Sequence, residues 1–169
     1  MKYLIICLLL STSYRQPSTV NRQPLAVNRQ PSTINRSAFY KAMQENDKAL
    51  VNAQLKELNE APGDLKQAFM GAMLMKRASF VGSAGARIHY FREGHKMLES
   101  AIQKAPDNVE FRLLRLMVQE HAPGALGYKS DIGKDSEYIR KYYKSLPGEV
   151  QLTVEDYNKK SKFLKLDVS

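Results

Sequence analysis

The residues of this chain that could do chemistry are few and far apart. Three histidines stand at His89, His95 and His121. His89 and His95 are six apart, which places them on different faces of a helix, so they do not form the i, i+4 pair that holds zinc. His89 with Glu93 and His95 with Glu99 do have that spacing. Such pairs are common on exposed helix surfaces, and that reading is preferred to a metal site. His121 suits the end of a helix, where the dipole favours a cation. Gly82-Ser83-Ala84-Gly85 lacks the Lys-Ser/Thr that completes a phosphate-cradling loop and follows no strand. No Ser-His-Asp order and no pair of acids spaced for glycoside cleavage stands out. The single cysteine is Cys7, so the chain beyond it offers no thiol and no disulfide, as suits an oxidising compartment. The expectation is a protein without catalytic residues, metal or cofactor.

Cations offer more. Arg112 and Arg115 interrupt the most apolar stretch of the chain, three apart and so on one side of a helix. The plain reading is that they snorkel or pair with acids of a neighbouring helix. The functional reading is that they line a groove and receive a carboxylate from a peptide or partner. A second set comprises Arg140, Lys141 and Lys144 around Tyr142 and Tyr143, with Lys159, Lys160 and Lys162 beside Phe163 and Leu164. Basic residues interleaved with aromatics resemble the pattern of single-stranded nucleic-acid binders. Their aromatics fall close to apolar stripes, which favours core residues with a solvated basic rim. Met70, Met73 and Met75 could make an adaptable surface, with core filling the preferred reading.

The elements that must position these residues read as helix and turn throughout, giving an all-α fold. Ser37 is expected to cap a first helix over 38–60, with Phe39, Met43, Leu50, Leu55 and Leu58 as its apolar face. Ala61-Pro62-Gly63-Asp64 ends it, and a second helix runs to about Val81 with Leu65, Phe69, Met73 and Phe80 near one face. A third, over 86–105, is expected to bury Ile88, Phe91, Leu98 and Ile102; the fourth, over 108–121, is apolar on most sides and therefore central. Ala122 to Gly127 contains one Pro and two Gly and must be a loop. The fifth, over 131–146, is expected to bury Ile139, Tyr142, Tyr143 and Leu146. The sixth, from about Glu149, carries the stripe Val150, Val154, Tyr157, Ser161 and Leu164. Six helices pair into three antiparallel hairpins, in one domain over 37–169 that is long enough for a core.

The N-terminus differs in kind. Tyr3 to Leu10 is an uninterrupted apolar run of eight after Met1-Lys2, which reads as a short secretory signal over 1–13, cut after Ser13. It is too short to span a bilayer, which needs about 20 apolar residues, and no integral membrane protein is expected. Residues 14–36 hold a tandem heptapeptide: Arg15 to Asn21, Arg22 to Asn28 and Arg29 to Asn35, followed by Arg36. The DNA word GTCAACC, repeated, returns to frame every seven codons and translates as this unit, so a DNA repeat explains it without selection on the protein. Pro17, Pro24 and Pro31 with small polar residues predict disorder. Residues 1–36 carry Lys2 and four Arg with no acid, +5, leaving +4 of the chain's +9 for the remainder. The high pI is thus weak ground for a nucleic-acid partner.

Gly94, Leu98, Ala101 and Pro106, with Ala105-Pro106-Asp107-Asn108 leading into the next helix, have the spacing of the second helix of a tetratricopeptide repeat, and this stretch of about 30 residues resembles that family. The first-helix signature of Trp, Leu-Gly and Tyr is missing, and the chain has no Trp. Arg112 to Met117 and Tyr138 to Pro147 are similar to uncharacterised secreted proteins of Bacteroidota. The resemblances imply a bundle or short solenoid and a periplasmic or envelope setting. The expected function is a non-enzymatic module that binds another protein or peptide in the envelope, secreted or periplasmic. The alternative is an anion-binding protein using the basic C-terminal helices on nucleic acid, anionic lipid or polysaccharide. An unprocessed N-terminus would instead place the protein in the cytoplasm.

Overall fold

A computed structural model describes residues 34–167 apart from 62 and 64. The expected signal run over 1–13 and the heptapeptide segment up to residue 33 lie outside the described residues. Among the described residues there are seven α-helices and no strand, so the chain is all-α. They are α1 (Arg36–Gln44), α2 (Lys48–Glu60), α3 (Leu65–Arg77), α4 (Ala84–Lys104), α5 (Val109–His121), α6 (Ile132–Tyr142) and α7 (Gly148–Asn158). Short polar side chains start four of them by accepting from exposed amides of the first turn. Asn35 accepts from Ala38 N, Asp47 from Ala49 N and Leu50 N, Ser83 from Ala86 N, and Asn108 from Phe111 N.

Three boundaries correct the sequence reading. The helix expected over 38–60 is two helices, broken at Glu45 to Asp47, where Asp47 caps α2 with a bond of 2.7 Å to Ala49 N. Asn35, not Ser37, caps α1, so the end of the last heptapeptide unit belongs to the described fold: Ile34 is buried and Arg36 is already helical. The disorder expected through 36 therefore does not extend to Ile34, Asn35 and Arg36. At the other end, α7 stops at Asn158, and Lys159, Lys160 and Lys162 follow the helix rather than riding on it. Leu164 reaches the core from this non-helical tail, fully buried. Arg140 donates to Leu164 O at 2.7 Å, while Ser161 Oγ accepts from Leu164 N at 2.9 Å.

From α1 to α6, helices next to each other in the chain pack against each other; α3 also meets α5, and α7 packs on α1. The core runs through α3 and α5: every residue from Ala68 to Met75 is buried, and in α5 all from Val109 to Gln119 are buried except Arg112. Burial of α5 on nearly all sides follows from its composition. Phe39, Tyr40 and Phe69 form an aromatic cluster, with Phe39 and Phe69 4.6 Å apart. Met70, Met73 and Met75 are core residues. The tightest contact is between α3 and α4, where Gly71 faces Gly94. A Cβ on Gly71 would lie 2.7 Å from both Gly94 O and Leu98 N, and one on Gly94 would lie 2.9 Å from Met75 N. Only hydrogen fits at either place.

Candidate functional site

Arg112 and Arg115 lie on α5 facing acids of the chain itself. Arg115 Nε and Nη2 donate to the two oxygens of Asp135 on α6 at 2.6 and 2.8 Å, and its Nη1 donates to Glu99 on α4 at 2.9 Å. Arg112 adds a bond of 3.1 Å to Asp135, donates to Pro106 O and stacks its guanidinium over Tyr138 at 4.2 Å. Asp135 is completely buried. A bidentate guanidinium with a second cation beside it is what such a carboxylate requires in place of water. The carboxylates these arginines hold are internal, from Asp135 and Glu99.

Elsewhere the basic set is partly engaged. Arg140 holds the carbonyls of Phe163 and Leu164, Lys159 and Lys160 pair with Asp156, and Lys160 also reaches Gln44 on α1. Lys141 covers the ring of Tyr142, which itself lies 4.5 Å from Tyr138. Tyr142 is exposed, contrary to its expected burial, whereas Tyr143 and Leu146 are buried. Lys144 and Lys162 are exposed. Arg112, Tyr138, Tyr142 and Lys141 thus form a row in which ring faces are already covered by a cation or by the other ring. Arg115, Lys159, Lys160 and Lys162 are not part of it.

A different surface is built around His95. The N-terminal half of α4 and the loop after α5 form a groove of about 410 Å³ lined by Ile88, Phe91, Arg92, His95, Leu126 and Tyr128 with the small residues of the loop. Gly127, at φ +64, turns the chain in the left-handed region that glycine enters without strain. It follows the 3-10 turn Gly124–Leu126 and leads Tyr128 back into the molecule, where that residue is buried. The three rings lock together. Phe91 and His95 are stacked with planes 7° apart, and Tyr128 meets His95 edge-on at 4.6 Å and Phe91 at 5.6 Å. The Tyr128 hydroxyl donates to Glu99, so the groove floor rests on the Arg115 and Asp135 network. Burial and that bond push the Tyr128 phenol far above its ordinary range.

The rim departs from expectation. Ile88 was expected to be buried and is 43% exposed, with Leu126 at 39% beside it. Arg92 is exposed and has no ion pair or hydrogen bond among the described residues. No Asp or Glu lines the groove. Periodicity could not find this site, because Tyr128 is 33 residues from His95 and only the loop brings them together.

The other histidines are plainer. His89 faces Glu93 at 3.5 Å on an exposed surface, and His121 Nδ1 lies 2.9 Å from Met117 O of its own helix end. Among the described residues no group of three or more His, Cys, Asp or Glu is placed to hold a metal, and no helix is long and apolar enough to cross a membrane. A second groove, of about 390 Å³ between α1 and α7, has Lys41 and Lys160 facing Glu45, Glu149 and Asp156. Comparison with protein-family models, curated proteins and solved structures gave no match to this chain.

Proposed function

We propose that this chain is a non-enzymatic helical interaction module of the cell envelope, and that it takes its partner on the groove between α4 and the Gly124 to Tyr128 loop. The observation that carries this is the conjunction of Ile88 and Leu126, exposed together on a rigid aromatic floor, with the unpaired Arg92. Adjacent exposed apolar side chains rimmed by polar residues mark interaction sites. A tetratricopeptide-like arrangement is supported by Gly94, whose close approach to α3 suits the small residue required at that position of the resemblance. The envelope setting rests on the apolar run Tyr3 to Leu10. An N-terminal mass beginning near Tyr14, on protein taken from the cells that make it, is the outcome it expects; an intact Met1 overturns it.

The test of the groove is photo-crosslinking in those cells, with a benzophenone side chain at Leu126 and, as a control, at the exposed Leu152 beside the second groove. A partner captured at position 126 and not at 152 is expected. Equal capture at both positions rejects the assignment.

A second reading has its own observation: Lys141, Lys144 and Lys162 are exposed near Tyr142 and Phe163. This surface would take a polyanion, with an affinity that falls steeply with salt as counterions are released. Because Arg112, Arg115, Arg140, Lys159 and Lys160 already have partners within the chain, it is the less favoured of the two.

A further inference from the structure

We infer that the groove's occupant is an acidic peptide segment that sets a large apolar side chain between Ile88, Phe91 and Leu126 and a carboxylate on Arg92. This rests on the groove being the partner surface. Three observations define the chemistry. The first is the apolar rim: Ile88 of α4 and Leu126 of the loop are both exposed and line the groove together with Phe91, which offers an apolar seat for a large side chain. The second is charge. Arg92 is the one permanent cation of the lining and is unpaired among the described residues, while the lining holds no carboxylate to compete for it. A guanidinium at the edge of an apolar surface prefers a carboxylate that it can hold through two parallel hydrogen bonds. The third is rigidity. Phe91, His95 and Tyr128 are interlocked, and the Tyr128 hydroxyl is tied to Glu99 and through it to Arg115. A floor fixed before binding loses little conformational freedom on binding.

A peptide is favoured over a free fatty acid by shape. The groove lies open along α4 and is walled on one side by a loop of small residues, Ala125 and Gly127, that lets an extended backbone approach. It is not the closed apolar tunnel that an acyl chain needs to bury its length.

The experiment is a titration of the isotope-labelled full chain, followed by amide and methyl NMR, with three probes: an acetylated hexapeptide alternating glutamate and leucine, its counterpart with glutamine for glutamate, and laurate. Expected are shifts at Ile88, Leu126 and the Arg92 side chain with the glutamate peptide, and at least tenfold weaker binding of the glutamine peptide. Arg92→Gln should erase that difference between peptides, while Leu126→Ser should weaken both. Both substitutions alter exposed side chains, and unchanged helical circular dichroism confirms that the variants are folded. Equal binding of the two peptides at the groove overturns the acidic requirement and leaves the groove as the partner surface. Laurate binding more tightly than the peptide overturns the peptide in favour of a lipid-like anion. Silence at the groove from every probe overturns the inference, and the crosslinks at position 126 then decide the groove separately.

Discussion

Asp135 is sealed from solvent with two arginines upon it, and the two are not equivalent. Arg115 occupies both carboxylate oxygens and also holds Glu99, whereas Arg112 touches one oxygen and keeps other partners in Pro106 O and Tyr138. Arg115→Met should therefore cost about 3–5 kcal/mol, the usual consequence of stranding a buried charge. Arg112→Gln should cost less, about 2 kcal/mol, since it gives up exposed bonds to Pro106 O and the stacking on Tyr138 while Asp135 keeps both of its bonds from Arg115. Urea denaturation of the two variants measures both, and the reverse order would contradict the division of labour. Arg115→Met combined with Asp135→Leu should recover most of the loss, since removing both charges removes the stranded one. Sequence alone could show that two arginines on an apolar helix need acids. It could not say which, because Glu99 and Asp135 are on other helices, 16 and 20 residues from Arg115. The same applies at the start of the fold, where Arg36 holds the buried Glu110 through bonds of 2.8 and 3.0 Å and Tyr40 donates to it at 3.0 Å. Arg36 belongs to a run of repeats whose regularity concealed the structural role of its last member.

At the scale of elements, α3 and α4 are set by a pair of glycines rather than by apolar pattern. Gly94 sits within a 21-residue helix, where alanine would ordinarily be favoured by about 1 kcal/mol. Packing opposes this, because the added carbon would lie 2.9 Å from Met75 N, a backbone atom that cannot swing aside. Overfilling a close-packed contact costs about 1–3 kcal/mol or more. Gly94→Ala should therefore lower the melting temperature despite its better helix propensity, and thermal denaturation gives the sign directly. A rise would mean that the two helices do not cross at Gly71. The sequence foresaw most helices to within a few residues because polar caps and Pro-Gly breaks punctuate them. It missed the break between α1 and α2, where Glu45-Asn46-Asp47 contains neither Pro nor Gly and the apolar period continues across it. It extended α7 for the opposite reason. Ser161 and Leu164 keep the helical register, but Leu164 reaches the core from a chain already unwound, held by Arg140 and Ser161. Periodicity records which side chains are buried and is silent on how the backbone brings them there. Ile88 failed for a related reason: it has helical spacing from Phe91, yet its side chain lines the open groove, while Tyr90 of the same turns packs against the core.

For the whole molecule, the buried tyrosines set how the fold meets alkali. Tyr40, Tyr128 and Tyr157, the buried tyrosines whose phenols are raised furthest, come from α1, the loop after α5 and α7. Burial is the first cause that raises each phenol above its ordinary value, reinforced by a nearby carboxylate: Glu110 for Tyr40, Glu99 for Tyr128 and Glu120 for Tyr157. In the unfolded chain they ionise near pH 10, while in the folded chain they keep their protons. Above that pH the unfolded state binds fewer protons than the folded one, so stability falls as pH rises. Each such group contributes about 1.4 kcal/mol per pH unit, and three together about 4 kcal/mol per unit. Lys76, lowered by burial, acts in the opposite direction with a single group. A domain with a stability of about 5–15 kcal/mol should then unfold within a few pH units above 10. The ionisation of these phenols should also coincide with unfolding rather than precede it. Tyrosinate absorbance and helical circular dichroism, recorded on one alkaline titration, should share a cooperative midpoint after the exposed tyrosines have titrated. Tyr128→Phe should make the loss shallower by one tyrosine's share, and because its hydroxyl joins the groove floor to Glu99, the same variant should loosen the Phe91 and His95 rings at neutral pH. If all the tyrosines titrated near pH 10 with the helices intact, the core described for α1, α5 and α7 could not be closed to water.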